Sequence, residues 1–254
     1  MQSLAGGDVD VGGRTNRKLY QFGITSHYAY SEKTSFEANL SRSYADYQAQ
    51  LDSVEWVNQN WVDYQLLAKT RVGAGLTFGF LSPEGGQPQS YEQALLRVSL
   101  PATGKLTVAA EGGMEARHVR ETQTTQPVFR VSVAYRPFDG TDLSVAVSRR
   151  SFNSAAQAGV NYTTTGISAS VRQRFFGRIF LTLAGGFEDA KYQAVEPTAS
   201  STRHDRFLFV RPSLSLAVTK RSQIELFYER RSNDSNTGFS FENNVTGLQA
   251  SFNF

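Results

Sequence analysis

Between Leu106 and Arg117 the chain changes character at every residue. Leu106, Val108, Ala110, Gly112, Met114 and Ala116 are apolar or small, while Thr107, Ala109, Glu111, Gly113, Glu115 and Arg117 between them carry the polar groups and all the charge. A helix would spread both classes round its circumference, whereas a strand sends successive side chains to opposite faces. The same split sets Phe129, Val131, Val133 and Tyr135 against Arg130, Ser132, Ala134 and Arg136, and Leu208, Val210, Leu214 and Leu216 against Phe209, Arg211, Ser213 and Ser215. Read this way, the sequence predicts strands over 17–31, 34–47, 55–69, 72–82, 90–101, 105–118, 127–137, 141–152, 161–175, 178–192, 205–218, 222–232 and 240–254. Globular strands usually run about five or six residues, and these are far longer. A tilted strand needs about 9–11 residues to cross a bilayer, which these supply.

The connections add a second constraint. SEKT, TRV, PATGK, PFDGT, FGR and TKRS read as tight hairpin turns, and they alternate with polar stretches at 48–54, 83–89, 119–126, 153–160, 193–204 and 233–239. Short periplasmic turns alternating with longer outside loops are the habit of outer-membrane barrels, whereas a Greek-key sandwich has no cause to alternate. The fold class this predicts is all-β: a transmembrane antiparallel up-and-down β-barrel, forming one domain over residues 1–254. Single-chain bacterial barrels usually have an even number of strands. A further strand is therefore expected before residue 17, where only the poorly patterned residues 3–13 are available, giving fourteen strands with twelve and sixteen as alternatives. The opening MQSLAGGDVDVGG lacks the charged start and apolar core of a signal peptide, so the chain reads as the mature form of an exported protein, in the bacterial outer membrane.

Composition closes off other classes. No apolar run approaches the ~18 residues of a membrane helix, and the mean hydropathy of -0.37 is compatible with strands polar on one face. A net charge of +3 is too mild to argue for nucleic acid. With no Cys there is neither a disulfide framework nor a thiolate metal site. The three histidines, His27, His118 and His204, have no Ser or Asp constellation around them in the sequence, so neither an enzyme nor a cofactor is expected.

The apolar face is assigned to lipid, because a charge there at mid-bilayer costs about 2–4 kcal/mol. Aromatic residues near strand ends, Tyr20, Tyr28, Tyr30, Phe36, Tyr64, Phe80, Tyr135, Tyr162, Phe187, Tyr228, Phe252 and Phe254, suit interfacial girdles. The opposite face carries Glu37, Asp63, Glu111, Glu115, Glu188, Glu225 and Glu229, with Arg97, Arg117, Arg130, Arg136, Arg150, Arg172, Arg174, Arg211 and Arg231. So many charges require a wet lumen. Two roles stay open for them: bracing the barrel by cross-strand pairing, or meeting anionic solutes through the guanidinium forks. Gly73, Gly75 and Gly79 on the same face are expected to widen the bore or let the sheet bend. Only the connection at 193–204 is long enough to fold inward, so the channel is expected to be open or narrowly gated.

The chain ends with Leu248, Ala250, Phe252 and Phe254 alternating to the last residue, and its C-terminal half repeats Arg-rich strand ends before Asn/Ser loops, as in SVAVSRRSFN and IELFYERRSNDSN. These features resemble an outer-membrane β-barrel porin family often encoded beside surface-polysaccharide export genes. The resemblance implies a channel, with an exported surface polysaccharide as its solute; the Arg-rich polar face adds the expectation of polar or anionic solutes. It also implies that the terminal pattern is a membrane-insertion signal. The partners implied are outer-membrane lipid, the barrel-assembly machinery and a periplasmic export partner. A barrel that docks partners without an open pore is the competing expectation.

Overall fold

The computed structural model describes Asp10 and residues 16–196, 199, 201–219 and 221–252. Thirteen strands follow one another: β1 (Arg17–Ala29), β2 (Thr34–Tyr47), β3 (Ser53–Gln65), β4 (Arg71–Pro83), β5 (Gln89–Pro101), β6 (Leu106–Val119), β7 (Thr122–Tyr135), β8 (Thr141–Asn153), β9 (Val160–Phe175), β10 (Ile179–Ala194), β11 (His204–Ala217), β12 (Ser222–Ser235) and β13 (Phe241–Phe252). Each pairs with its neighbours in chain order, so the thirteen strands form a single antiparallel meander. Every strand expected from alternation is present. The additional first strand expected at 3–13 lies outside the described residues apart from Asp10, which sits against residues 154–156 and Arg203. Phe254 also lies outside them.

The sheet is rolled, because inward side chains of strands that are not neighbours meet. Arg97 on β5 reaches Glu37 on β2 at 3.2 Å, and Asn161 on β9 reaches Gln89 on β5 at 2.9 Å. Rolling puts one face outside, where the cross-strand pairs are apolar: Leu181 with Leu214, Leu226 with Leu248, and Val133 with Val145. Leu214 is 50% exposed while Ser215 beside it is 2% exposed, which inverts the arrangement of a water-soluble protein. An apolar belt of this extent is sustained by lipid, not by water. Leu183→Arg, between Val171 and Pro212 in the belt, should therefore cost about 2–4 kcal/mol. The folded, unboiled gel band should weaken for this variant and persist for Lys191→Arg beyond the belt; equal bands would contradict the assignment.

The connections correct one expectation. The 119–126 stretch is not a long loop: QTTQ at 123–126 pairs with 115–118, and only residues 120 and 121 turn, with Arg120 at φ 53°. Thr is a good strand former, and each added pair satisfies two backbone groups that a loop would leave to water. The same extension lengthens β9 and β10 to 16 residues, so the contrast between long and short connections is weaker than the sequence suggests. Leu66 and Leu67, expected at the end of β3, instead form the 66–70 turn, closed by the Leu66 amide donating to the Thr70 carbonyl at 2.9 Å. The connections at 48–52, 84–88, 120–121, 154–159, 195–203 and 236–240 share one end of the sheet, here the outer end.

Candidate functional site

The lumen is built from a repeated unit that joins glycine, an aromatic ring and arginine. Trp61 on β3 lies opposite Gly75, and a Cβ on that glycine would come within 2.5 Å of the indole. The Arg97 guanidinium sits 4.2 Å from the Trp61 ring centre. Tyr91 occupies the space over Gly79 in the same way, with Arg117 at 4.7 Å; Phe227 covers Gly247, with Arg211 at 4.1 Å. Cation–π contact helps desolvated guanidinium groups at each stack. Gly75 and Gly79 thus make room for rings instead of widening the bore, and Gly73 makes room for the Asp63 carboxylate.

Alternation places the expected charges on this inner face, and the structure sorts them. Arg97 is bound by Asp63 at 2.8 Å as well as by Glu37. Arg117 meets Glu115 at 3.1 Å, and Gln93 donates to the same carboxylate at 2.7 Å. Arg211 lies 3.0 Å from Glu225 and 3.8 Å from Glu229, which also holds Arg231. These four arginines are paired braces. Arg136 is not on a strand; it lies in the 136–140 turn, 2.7 Å from Asp142. Arg172 is laid over Phe180 at 4.1 Å. Arg174 lies 2.8 Å from Asp139 in the 136–140 turn, which leaves Arg130 and Arg150, with no ion pair to either among the described residues. Both face a cavity of about 250 Å³ that also takes in Gln59, Thr77 and Glu111. Glu111 is the register partner of Arg130 on β6.

The two ends of the lumen differ. Toward the inner end a cavity of about 730 Å³ is lined by His27, Glu37, Asp63, Arg97, Glu111 and Arg130. The outer end is packed. The Leu51 amide donates to the Ala155 carbonyl at 2.8 Å, and the Gln87 amide donates to Glu196 at 2.8 Å, so four outer connections meet. Beneath them Val160, Tyr162, Ala190, Tyr192 and Phe207 form an apolar cluster, with the Tyr162 and Tyr192 rings stacked at 4.9 Å. The expectation that only 193–204 could fold inward is corrected to this extent: among the described residues, 48–52, 84–88 and 154–159 also bond across this end. Burial pushes the Asp10 carboxyl up from its ordinary range, opposed by its bonds to Ser154 and Ala155 and by the Arg203 charge. The luminal rings and the cluster around Arg203 escaped the sequence reading, and Tyr162, expected at the membrane interface, is instead buried in the apolar cluster with Tyr192. The signal for Trp61, Tyr91 and Phe227 was an aromatic residue on the polar face, opposite glycine on the next strand.

Belt and fold together match the bacterial outer-membrane β-barrels, and the chain lies in that membrane. No family model matches the sequence, and no curated protein matches it. Solved structures do. The chain is similar to the FrpB iron transporter from Neisseria meningitidis, with a TM-score of 0.59 and 8% identity over 87% of this chain and 44% of that one. It is similar to the copper transporter OprC, at 0.56 and 9% over 86% and 48% of the two chains. Outer-membrane expressed OmpT of Vibrio cholerae matches at 0.51 and 12%, over 91% and 88%. At such identities the likeness is one of fold. Leu248, Ala250 and Phe252 lie along β13, paired with Leu226, Ile224 and Ser222.

Proposed function

We propose that this barrel is a gated outer-membrane channel for small polar or anionic solutes. The observation that carries the reading is the pair Arg130 and Arg150, which face luminal space while the neighbouring arginines are spent on carboxylates. Guanidinium groups without a carboxylate of their own attract a passing anion and release it readily, as conduction requires. The packed outer end favours small solutes over an exported polysaccharide, and it makes the mouth the gate. The terminal residues Leu248, Ala250 and Phe252, with Phe254, are proposed as the insertion signal read by the assembly machinery.

That same packing favours a second reading, a partner-docking barrel whose lumen does not conduct. Liposome swelling separates the two. Vesicles holding the refolded protein should admit small solutes such as glycine or acetate and exclude large sugars. No swelling with any solute, from protein that migrates as the folded band, would favour the docking barrel.

A further inference from the structure

The outer mouth holds a second charged site, separate from Arg130 and Arg150. Its centre is Arg203, 2% exposed in the 195–203 connection, with its guanidinium 4.2 Å from the Tyr192 ring centre and 3.7 Å from that of Phe239. One edge of the guanidinium is taken by Asp205: Nε donates to its two carboxylate oxygens at 3.1 and 2.9 Å. Beside it the 154–159 connection turns sharply, and Ser154 Oγ accepts the Gln157 amide at 3.0 Å. That turn leaves the Ser154 hydroxyl and the Ala155 and Ala156 amides converging on one point, the kind of backbone nest that binds anions.

The group at that point is the side chain of Asp10. Ser154 Oγ donates to its Oδ1 at 2.8 Å, the Ala155 and Ala156 amides donate to its Oδ2, the latter at 3.2 Å, and Arg203 Nη1 stands 3.7 Å from Oδ1. Arg203 Nη2 also donates to the Asp10 carbonyl at 2.9 Å. Asp10 and Ser154 are almost wholly buried. A carboxylate drawn this far from water is held by every donor the site offers.

We propose that the nest formed by Ser154, Ala155, Ala156 and Arg203 is a carboxylate-binding pocket, filled in this state by the chain's own Asp10. A residue distant in sequence thereby ties the outer connections at 154–159 and 195–203 to one another. Carboxylate-bearing solutes are the ligand class that competes for the pocket. Neutral molecules of the same shape lack the charge that the amides and Arg203 select.

Isotope-labelled acetate is the probe, read by NMR line broadening on refolded protein in detergent, so the result is independent of whether the barrel conducts. Wild-type protein should show little acetate binding, because Asp10 holds the site. Asp10→Ala should bind acetate saturably, acetamide should not compete, and adding Ser154→Ala should weaken acetate about fivefold or more, as loss of a hydrogen bond to a charged group does. Arg203 is left intact because its removal would strand the buried Asp205 charge. Equal binding to wild type and Asp10→Ala would overturn the proposal. So would no binding to an Asp10→Ala variant that still runs as the folded band, or acetate affinity indifferent to Ser154.

Discussion

Gly113→Ala should unfold the barrel more readily than any other single methyl added to the sheet. A Cβ at this position would lie 1.8 Å from the Ala94 carbonyl oxygen and 3.0 Å from the Leu95 Cα. Both are backbone of β5, so no rotamer change relieves the clash; the β5–β6 ladder itself must part. Overpacking a tight interior costs about 1–3 kcal/mol when side chains can yield, and here about 3 kcal/mol or more is expected. Gly112→Ala is the matched control. Its methyl faces lipid, and its nearest neighbour is the Phe129 Cβ at 3.2 Å, a tight contact that a small shift relieves and not an overlap with backbone. The midpoint of urea unfolding should fall sharply for Gly113→Ala and barely shift for Gly112→Ala. Equal midpoints would show that β5 and β6 do not approach as closely as described.

Reversing both unpaired luminal arginines should change which ions pass. Arg130→Glu with Arg150→Glu replaces two cations with two anions beside Glu111, a change of four charges in a narrow space. Charges in a low-dielectric confine act strongly on a passing ion. The double variant should therefore reverse an anion preference into a cation preference. Arg211→Gln, which removes a brace between Glu225 and Glu229, should lower stability instead, leaving Glu225 uncompensated while Glu229 keeps Arg231. If the braces alter selectivity and Arg130 with Arg150 do not, the division between bracing and solute-facing arginines is wrong.

How much of this was legible in the sequence depends on which physical signal carried it. Strand existence and facing were written in the alternation: Leu183 and Leu226 go to lipid, and Glu115 and Arg211 go inward, because a one-residue slip would send the whole charged set into the membrane. Loop lengths were less legible. A polar stretch such as QTTQ can be loop or ladder, and only its partner at 115–118 decides. Alternation could assign the charges to one face, yet which arginine braces and which stays available depended on cross-strand neighbours. Arg97 finds Asp63 and Glu37 two and three strands away, at a sequence distance that alternation does not report. The glycines misled for a related reason. Gly75 and Gly79 look like missing side chains until Trp61 and Tyr91 are seen occupying their space. The outer closure was the least visible, since it joins Leu51 to Ala155 and Asp10 to Arg203 across the mouth.

The claim that most needs testing is that Arg130 and Arg150 line a conducting path. A planar-bilayer recording in a tenfold potassium chloride gradient tests it in one measurement. The account predicts discrete current steps from the refolded wild-type protein, with a reversal potential of the sign for chloride preference, and the opposite sign for the doubly reversed variant. Absence of steps from folded protein would contradict it, as would a cation preference in the wild type.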